Sequence, residues 1–142
     1  MARFHEKKKI KWEHLLDSKC LEAMKEYIFY GLGSKIEIIK FVGDHFETVK
    51  SLYAHHSEVI LIHTEPILDL ILSVDKSGLV LIHELTELRF FRAFKLGVDF
   101  SGADVSKLKV CVHLMGYFIF LDHEQTIYVY KYIPADKVFW GS

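Results

Sequence analysis

The chain has 142 residues, of which 51% are hydrophobic and 26% charged, which excludes a disordered chain and suits one globular domain. The formal net charge of −1 leaves no overall positive field that would attract nucleic acid. Cys20 and Cys111 lack metal-ligand spacing, so we predict buried free thiols in a cytoplasmic protein. No apolar run approaches the roughly 18 residues that span a bilayer, and no internal repeat is convincing.

A basic arm opens the chain. Residues 1–11 hold five basic side chains against the single acid Glu6, and Trp12 follows them. The basic residues are Arg3, Lys7, Lys8, Lys9 and Lys11. Such an arm can lie along the phosphates of a nucleic acid, although a solvated terminus is the more common outcome.

A helix is predicted over Trp12–Tyr30, because apolar side chains recur there every four residues and Gly31 and Gly33 follow. The next segment, Lys35–Val42, is rich in β-branched residues and predicts a strand. A helix that starts at Ser34 is the alternative.

A βαβ unit is predicted next. Asp44 suits the N-cap of a helix over 45–54, and Glu58–His63 is apolar enough for a second buried strand. A strand, a helix and a strand joined by short loops are expected to form a right-handed parallel crossover. The pair His55-His56 is then expected at the exposed end of the helix.

Two further elements are predicted around a turn at 75–78. Leu68–Val74 and Leu79–His83 are predicted to form a hairpin, although a short helix that begins at Pro66 is the alternative. From Glu84 to Leu96 the apolar residues recur every three positions, which predicts an amphipathic helix.

The pattern His83-Glu84-x-x-Glu87 lies where that predicted strand meets the helix. If the helix begins one turn earlier, His83 and Glu87 stand four residues apart on one face and could hold zinc, with Glu84 as the catalytic proton acceptor of a hydrolase. The zincin pattern, however, has a second histidine where this chain has Glu87. The alternative, which we favour, is that Glu84 and Glu87 solvate the first turn of an ordinary helix.

Three histidines, His63, His83 and His113, fall at or near predicted strands. If those strands are neighbours, the imidazoles could converge as metal ligands or supply a general base. Because no spacing rule links them, we favour three separately hydrogen-bonded histidines.

The C-terminal part predicts an antiparallel meander of Val110–Leu114, Tyr117–Leu121 and Thr126–Ile133. The last strand would place Tyr128, Tyr130 and Tyr132 on one face, and 138–140 is an apolar tail. A small monomer would struggle to cover both surfaces, so the protein is expected to self-associate.

The predicted fold class is therefore α+β: an N-terminal helix, one βαβ unit and a mixed sheet closed by a C-terminal antiparallel meander, in a single domain over 12–142. The leading functional prediction is a non-catalytic binding or regulatory module that acts through protein–protein contacts, as a homodimer and away from membranes. The alternatives are a small metal-dependent hydrolase that uses His83, Glu84 and Glu87, and a nucleic-acid-binding protein that uses the basic arm.

Overall fold

The computed structural model describes residues 21–24 and 26–131, which form eleven β-strands in three antiparallel sheets. The described residues contain no α-helix, and one turn of 3-10 helix at Val105–Lys107 is the helical element among them. The predicted α+β class is therefore wrong, because the described chain is almost entirely β-structure.

Each sheet is a meander in which consecutive strands pair with each other. Sheet 1 contains β1 (Leu21–Met24), β2 (Tyr27–Leu32), β3 (Lys35–Val42) and β4 (His45–Leu52). Sheet 2 contains β5 (Val59–Glu65), β6 (Leu70–Asp75), β7 (Leu79–Glu84) and β8 (Arg89–Lys95). Sheet 3 contains β9 (Lys109–His113), β10 (Tyr117–Leu121) and β11 (Ile127–Lys131).

The predicted βαβ unit is replaced by consecutive hairpins of sheet 1. Gly43 has a φ of +65°, and together with Asp44 it forms a two-residue turn that pairs Val42 with His45. A glycine-aspartate turn of this kind suits the twist of antiparallel strands, so Asp44 completes the turn before β4 rather than capping a helix. Residues 45–52 therefore continue the sheet as β4, and the predicted parallel crossover does not form.

The predicted N-terminal helix is also wrong where the structure describes it. Residues 21–24 and 27–32 are strands β1 and β2, and the rest of Trp12–Tyr30 that precedes Leu21 lies outside the described residues. Both faces of β2 are apolar, with Phe29 and Tyr30 both buried. A strand with two apolar faces has no clear alternation, so a four-residue period could be found in it by chance.

The predicted helix over 84–96 is a turn followed by strand β8. Asp69 Oδ1 accepts hydrogen bonds from the backbone N–H of Thr86 at 3.0 Å and from its hydroxyl at 2.7 Å, which fixes the turn against the β5–β6 connection. The strand β8 then pairs antiparallel with β7. The charged residues Arg89, Arg92 and Lys95 are exposed on this edge strand, not on the back of a helix.

The hairpin of β6 and β7 and the meander of β9, β10 and β11 confirm the predictions for the later part of the chain. In both places a polar turn separates two runs that are clearly strand-like. The thiol of Cys111 is free, as predicted, but it is exposed instead of buried. Cys20 lies outside the described residues.

Sheet 2 is the centre of the packing, because sheets 1 and 3 cover its two faces. On β6, Ile71 belongs to a core shared with Phe29 and Ile38 of sheet 1. The next residue, Leu72, belongs to the core shared with Phe118 and Phe120 of sheet 3. Alternate side chains of one strand therefore enter two different cores, which explains why β5, β6 and β7 are apolar on both faces.

Candidate functional site

A buried hydrogen-bond network joins His55 to strand β6. His55 Nδ1 lies 2.8 Å from Asp75 Oδ2, and His55 Nε2 lies 2.7 Å from Ser73 Oγ. Ser73 and Asp75 share the face of β6 that packs on sheet 1, because they are two residues apart on the strand. His55, in the connection between sheets 1 and 2, reaches both side chains from one position.

The pKa values indicate how the protons of this network are arranged. Burial lowers the pKa of His55 below its ordinary value, although the bond to Asp75 opposes this effect. Burial alone would raise the pKa of Asp75, but hydrogen bonds from Ser77 and His55 outweigh it and lower that pKa. A neutral His55 therefore donates from Nδ1 to the carboxylate and accepts at Nε2 from the Ser73 hydroxyl.

The order serine, histidine, aspartate is also the order of a hydrolytic triad, in which the histidine activates the serine. Here the serine is out of reach, since the exposed fractions of Ser73, His55 and Asp75 are 0%, 4% and 1%. A substrate would have to separate sheets 1 and 2 to contact Ser73 Oγ. The network therefore has a structural role: it satisfies buried polar groups and holds His55 against β6.

A similar aspartate recurs in sheet 3. Asp75 Oδ1 accepts the backbone N–H of Ser77 and of Leu79, at the turn between β6 and β7. Asp122 Oδ1 accepts the N–H of Glu124 and of Thr126 in the same way, at the turn between β10 and β11. Sheets 2 and 3 thus repeat one turn structure, although no convincing repeat is visible in the sequence.

The predicted metal-binding pattern is spread over two faces of sheet 2. His83 is buried on the face of sheet 2 toward sheet 1. Glu84, at the end of β7, lies on the opposite face and lines a cleft between sheets 2 and 3. Glu87 is exposed in the turn after β7. The helix that would align His83 with Glu87 is replaced by strand and turn, and the described residues contain no group of three or more potential ligands that could hold a metal.

The three histidines of the convergence hypothesis point in different directions. His63 pairs with Leu72 on the face of sheet 2 toward sheet 3, and His83 pairs with Ile71 on the opposite face. His113 is exposed on sheet 3, beside the ring of Tyr117. The structure therefore brings none of the three together.

The basic arm, with Arg3, Lys7, Lys8, Lys9, Lys11 and Trp12, lies outside the described residues, as does the apolar tail 138–140. The tyrosine face of β11 is described in part, and it packs inward. Tyr130 lies 4.6 Å from Phe94 between ring centroids, and the Tyr128 hydroxyl donates to Asp122 Oδ2 at 2.9 Å. These rings belong to the core between sheets 2 and 3, so they are not the free surface that the sequence suggested.

The opposite face of sheet 3 is exposed and mostly apolar. Its side chains form three rows across the strands: Lys109, Leu121 and Ile127; then Cys111, Ile119 and Val129; then His113, Tyr117 and Lys131. Six of these nine residues are apolar or aromatic. Ile127 is 63% exposed and Val129 is 59% exposed, so no other described element covers this outer face of sheet 3.

Solved structures with the same arrangement of sheets include Sqt1 of Saccharomyces cerevisiae, with a TM-score of 0.66 over 87% of this chain at 13% sequence identity. The WD40 repeats of RRP9 give a TM-score of 0.64 over 84% of this chain at 17% identity. The fold is similar to that of WD40 repeats. The chain spans only about a third of these structures, namely 33% and 37% of their lengths. No family model matches the sequence, and no curated protein matches it either.

The His55 network was missed in the sequence because its members come from separate elements of these WD40-like sheets. His55 was expected on the surface beside His56, yet His55 is buried and only His56 is exposed. One signal was available in the sequence. Ser73 and Asp75 are polar residues two positions apart in an otherwise apolar strand, so they lie on the same face. If that face is buried, both need a hydrogen-bond partner there.

A further histidine, His83, is buried on the face of sheet 2 that packs on sheet 1. Burial, with smaller contributions from His55 and Lys50, lowers the pKa of His83 to about 4. His83 Nδ1 is buried and has no hydrogen-bond partner among the described residues. Protonation would thus place a positive charge where no described group accepts its hydrogen.

We expect the stability of the protein to fall as the pH falls from about 6.5 toward 4. In this window the unfolded chain binds protons on His55 and His83 that the folded chain excludes, so stability is full above the window and declines through it by at most about 1.4 kcal/mol per pH unit for each histidine. Urea unfolding at a series of pH values measures this slope. His83→Leu is expected to reduce it, and an unchanged slope would contradict the assignment.

Proposed function

We propose that the protein is a non-catalytic binding module that acts through protein–protein contacts and that two copies associate through the outer face of sheet 3. The observation that carries the proposal is the exposed, mostly apolar outer face of sheet 3. Sheet 2, by contrast, is covered on both faces by sheets 1 and 3. Exposed contiguous apolar surface of this kind is typical of interaction sites. The similarity to WD40 repeats supports stacking of sheets as the mode of contact.

The second copy is expected to contribute its own sheet 3, because side chains on the face of sheet 1 away from sheet 2 are already buried. On sheet 1, the face away from sheet 2 carries Tyr30 and Ile39, which are 2% and 0% exposed. A head-to-tail contact between sheet 3 and this face would require it to open. A two-fold contact between two copies of the same face requires no such change, and it closes the assembly.

The charges on the outer face of sheet 3 are compatible with this two-fold contact. Lys109 lies on β9 in the first row of the outer face and Lys131 lies on β11 in the third row, so the two lysines are diagonally opposite. A two-fold axis along β10 places Lys109 against Ile127 of the second copy and Lys131 against His113. The lysines therefore do not meet each other, and the apolar middle row faces its own copy.

We expect the protein to sediment as a dimer at tens of micromolar, a concentration typical of ordinary dimer affinities. Val129→Glu is expected to give a monomer, since it places a carboxylate in the middle of the apolar contact. Analytical ultracentrifugation measures both. Ile67→Glu is the control, because Ile67 is 74% exposed but lies in the β5–β6 turn, away from sheet 3's outer face. A monomeric wild type, or a Val129→Glu variant that stays dimeric, would overturn this interface.

The two alternative functions gain no specific support from the described residues, and both stay predictions. Zinc binding through His83 and Glu87, assisted by His63 or His113, is tested by metal analysis of the purified protein. Nucleic-acid binding through the basic arm is tested by salt-dependent binding to short RNA or DNA, since phosphate contacts weaken as salt rises.

A further inference from the structure

A cleft separates sheets 2 and 3 at the end of the molecule that carries the β5–β6, β7–β8 and β9–β10 turns. Its volume is about 280 Å³, close to the lower end of the range of about 300–1,000 Å³ for ligand pockets. Apolar side chains from both sheets line it, namely Leu68, Leu70, Phe91 and Phe118, and Gly116 completes the wall without a side chain. A space of this size suits one or two large side chains of a partner.

Two carboxylates, those of Asp69 and Glu84, also line the cleft, and no basic side chain of the described residues does so. The Glu84 side chain is 33% exposed, and its contact with Arg89 is a single one at 3.4 Å, at the limit of a hydrogen bond. Arg89 is itself 70% exposed, so this pair contributes little. Asp69 uses one carboxylate oxygen, Oδ1, for the hydrogen bonds from Thr86. The cleft therefore combines an apolar interior with net negative charge.

The turns around the cleft expose further apolar side chains. Ile67 is 74% exposed, Met115 is 71% exposed and Leu114 is 53% exposed. They belong to the β5–β6 and β9–β10 turns, which supply Leu68 and Gly116 to the lining. Apolar residues at loop tips around a cleft extend the surface that a bound segment can contact.

We propose that this cleft binds an extended segment of a partner protein in which a large apolar side chain stands beside an arginine or lysine. The apolar side chain enters between Leu70, Phe91 and Phe118, and the cation contacts Glu84 and Asp69 at the rim. Arginine suits the site better than lysine, because its planar guanidinium can bridge two carboxylates. Acidic segments and nucleic acids are disfavoured, since they carry the same charge as the rim.

This inference shares with the proposed function the premise of a binding module, but it does not depend on the dimer. The cleft lies between sheets 2 and 3, whereas the dimer contact uses the opposite face of sheet 3. Val129→Glu is therefore expected to leave peptide binding unchanged. Failure of one proposal can thus be observed separately from failure of the other.

The experiment uses the full chain and fluorescently labelled ten-residue peptides of glycine and serine with a central pair of test residues. Phe-Arg and Leu-Arg are the expected ligands, and Ser-Arg, Phe-Ser and Phe-Glu are the matched controls. Fluorescence anisotropy measures their dissociation constants. We expect Phe-Arg to bind at least about tenfold more tightly than each control, which corresponds to about 1.4 kcal/mol.

Variants of the chain then test the assignment of the rim. Glu84→Lys is expected to weaken Phe-Arg binding at least tenfold and to strengthen binding of Phe-Glu, because the charge that selects the peptide is reversed. Glu87→Lys makes the same change of charge in the adjacent turn but does not line the cleft, so it is expected to have a much smaller effect. Circular dichroism verifies that both variants are folded.

Three results would overturn the inference. The first is absence of Phe-Arg binding by the folded wild type. The second is equal binding of Phe-Arg and Phe-Glu. The third is equal weakening by Glu84→Lys and Glu87→Lys, which would indicate general electrostatic attraction and not recognition in the cleft.

Discussion

Replacing His55 by alanine is expected to lower the free energy of unfolding by about 3 kcal/mol, because it removes the partner of one oxygen of a buried carboxylate and of a buried hydroxyl. The Asp75 carboxylate keeps the bonds from Ser77 and Leu79 to Oδ1, but Oδ2 loses the imidazole. The Ser73 hydroxyl loses its acceptor. Since Ser73 and Asp75 are almost fully buried, water cannot replace the imidazole without opening the interface between sheets 1 and 2.

Urea unfolding followed by circular dichroism measures this loss. His56→Ala is the matched control, because His56 is the next residue and is exposed, so its removal is expected to change stability by no more than about 0.5 kcal/mol. Ser73→Ala removes the hydroxyl together with its need for an acceptor and is expected to cost about 1 kcal/mol. Equal effects of His55→Ala and His56→Ala would show that the buried network does not stabilise the fold.

The β6–β7 and β10–β11 hairpins could be predicted from sequence because a clear polar turn separates the two strands of each, whereas β8 was mistaken for a helix. The turn that begins at Asp75 includes Gly78, which has a φ of +86° and lies against the backbone of Val98, so a side chain there would be strained. This turn divides two aliphatic runs, and a hairpin was the simplest interpretation. The turn that begins at Asp122 likewise separates two strand-like runs, β10 and β11, and so predicts a hairpin.

In the first half the strands Lys35–Val42 and Glu58–His63 were predicted correctly, but the helices on either side of Lys35–Val42 were wrong because the turns there are very short. Gly33-Ser34 and Gly43-Asp44 each connect two strands with only two residues, as the pairing of Leu32 with Lys35 and of Val42 with His45 shows. A glycine followed by serine or aspartate resembles both a hairpin turn and the start of a capped helix. Local sequence therefore did not decide between them, and pairing with distant strands did.

The hypothesis of a metal site at His83 and Glu87 depended on whether the segment 83–87 is helix or strand. On a helix, His83 and Glu87 would lie on the same face, but in a strand His83 and Glu84 point to opposite faces. The aliphatic run before His83 looks the same in both cases, because β7 is buried on both sides by sheets 1 and 3. Burial on both faces removes the alternation that would have identified the strand's two sides.

Ile71→Ala and Leu72→Ala are each expected to lower the free energy of unfolding by about 2–5 kcal/mol, since each opens a cavity in a closed core. Ile71 is 1% exposed and packs toward sheet 1, whereas Leu72 is 2% exposed and packs toward sheet 3. Ile67→Ala is the control at a side chain that is 74% exposed, with an expected change within about 0.5 kcal/mol.

The double variant Ile71→Ala/Leu72→Ala tests whether the two cores that meet at strand β6 are independent of each other. Because the adjacent residues Ile71 and Leu72 contact different sets of side chains, their costs are expected to add, to a total of about 4–10 kcal/mol. A domain at the lower end of the ordinary range of about 5–15 kcal/mol would then be largely or wholly unfolded at 25 °C. Near-ultraviolet circular dichroism and urea unfolding measure this outcome. If either single variant were as mild as Ile67→Ala, one of the two faces would be open to water, and the stacking of three sheets around β6 would be wrong.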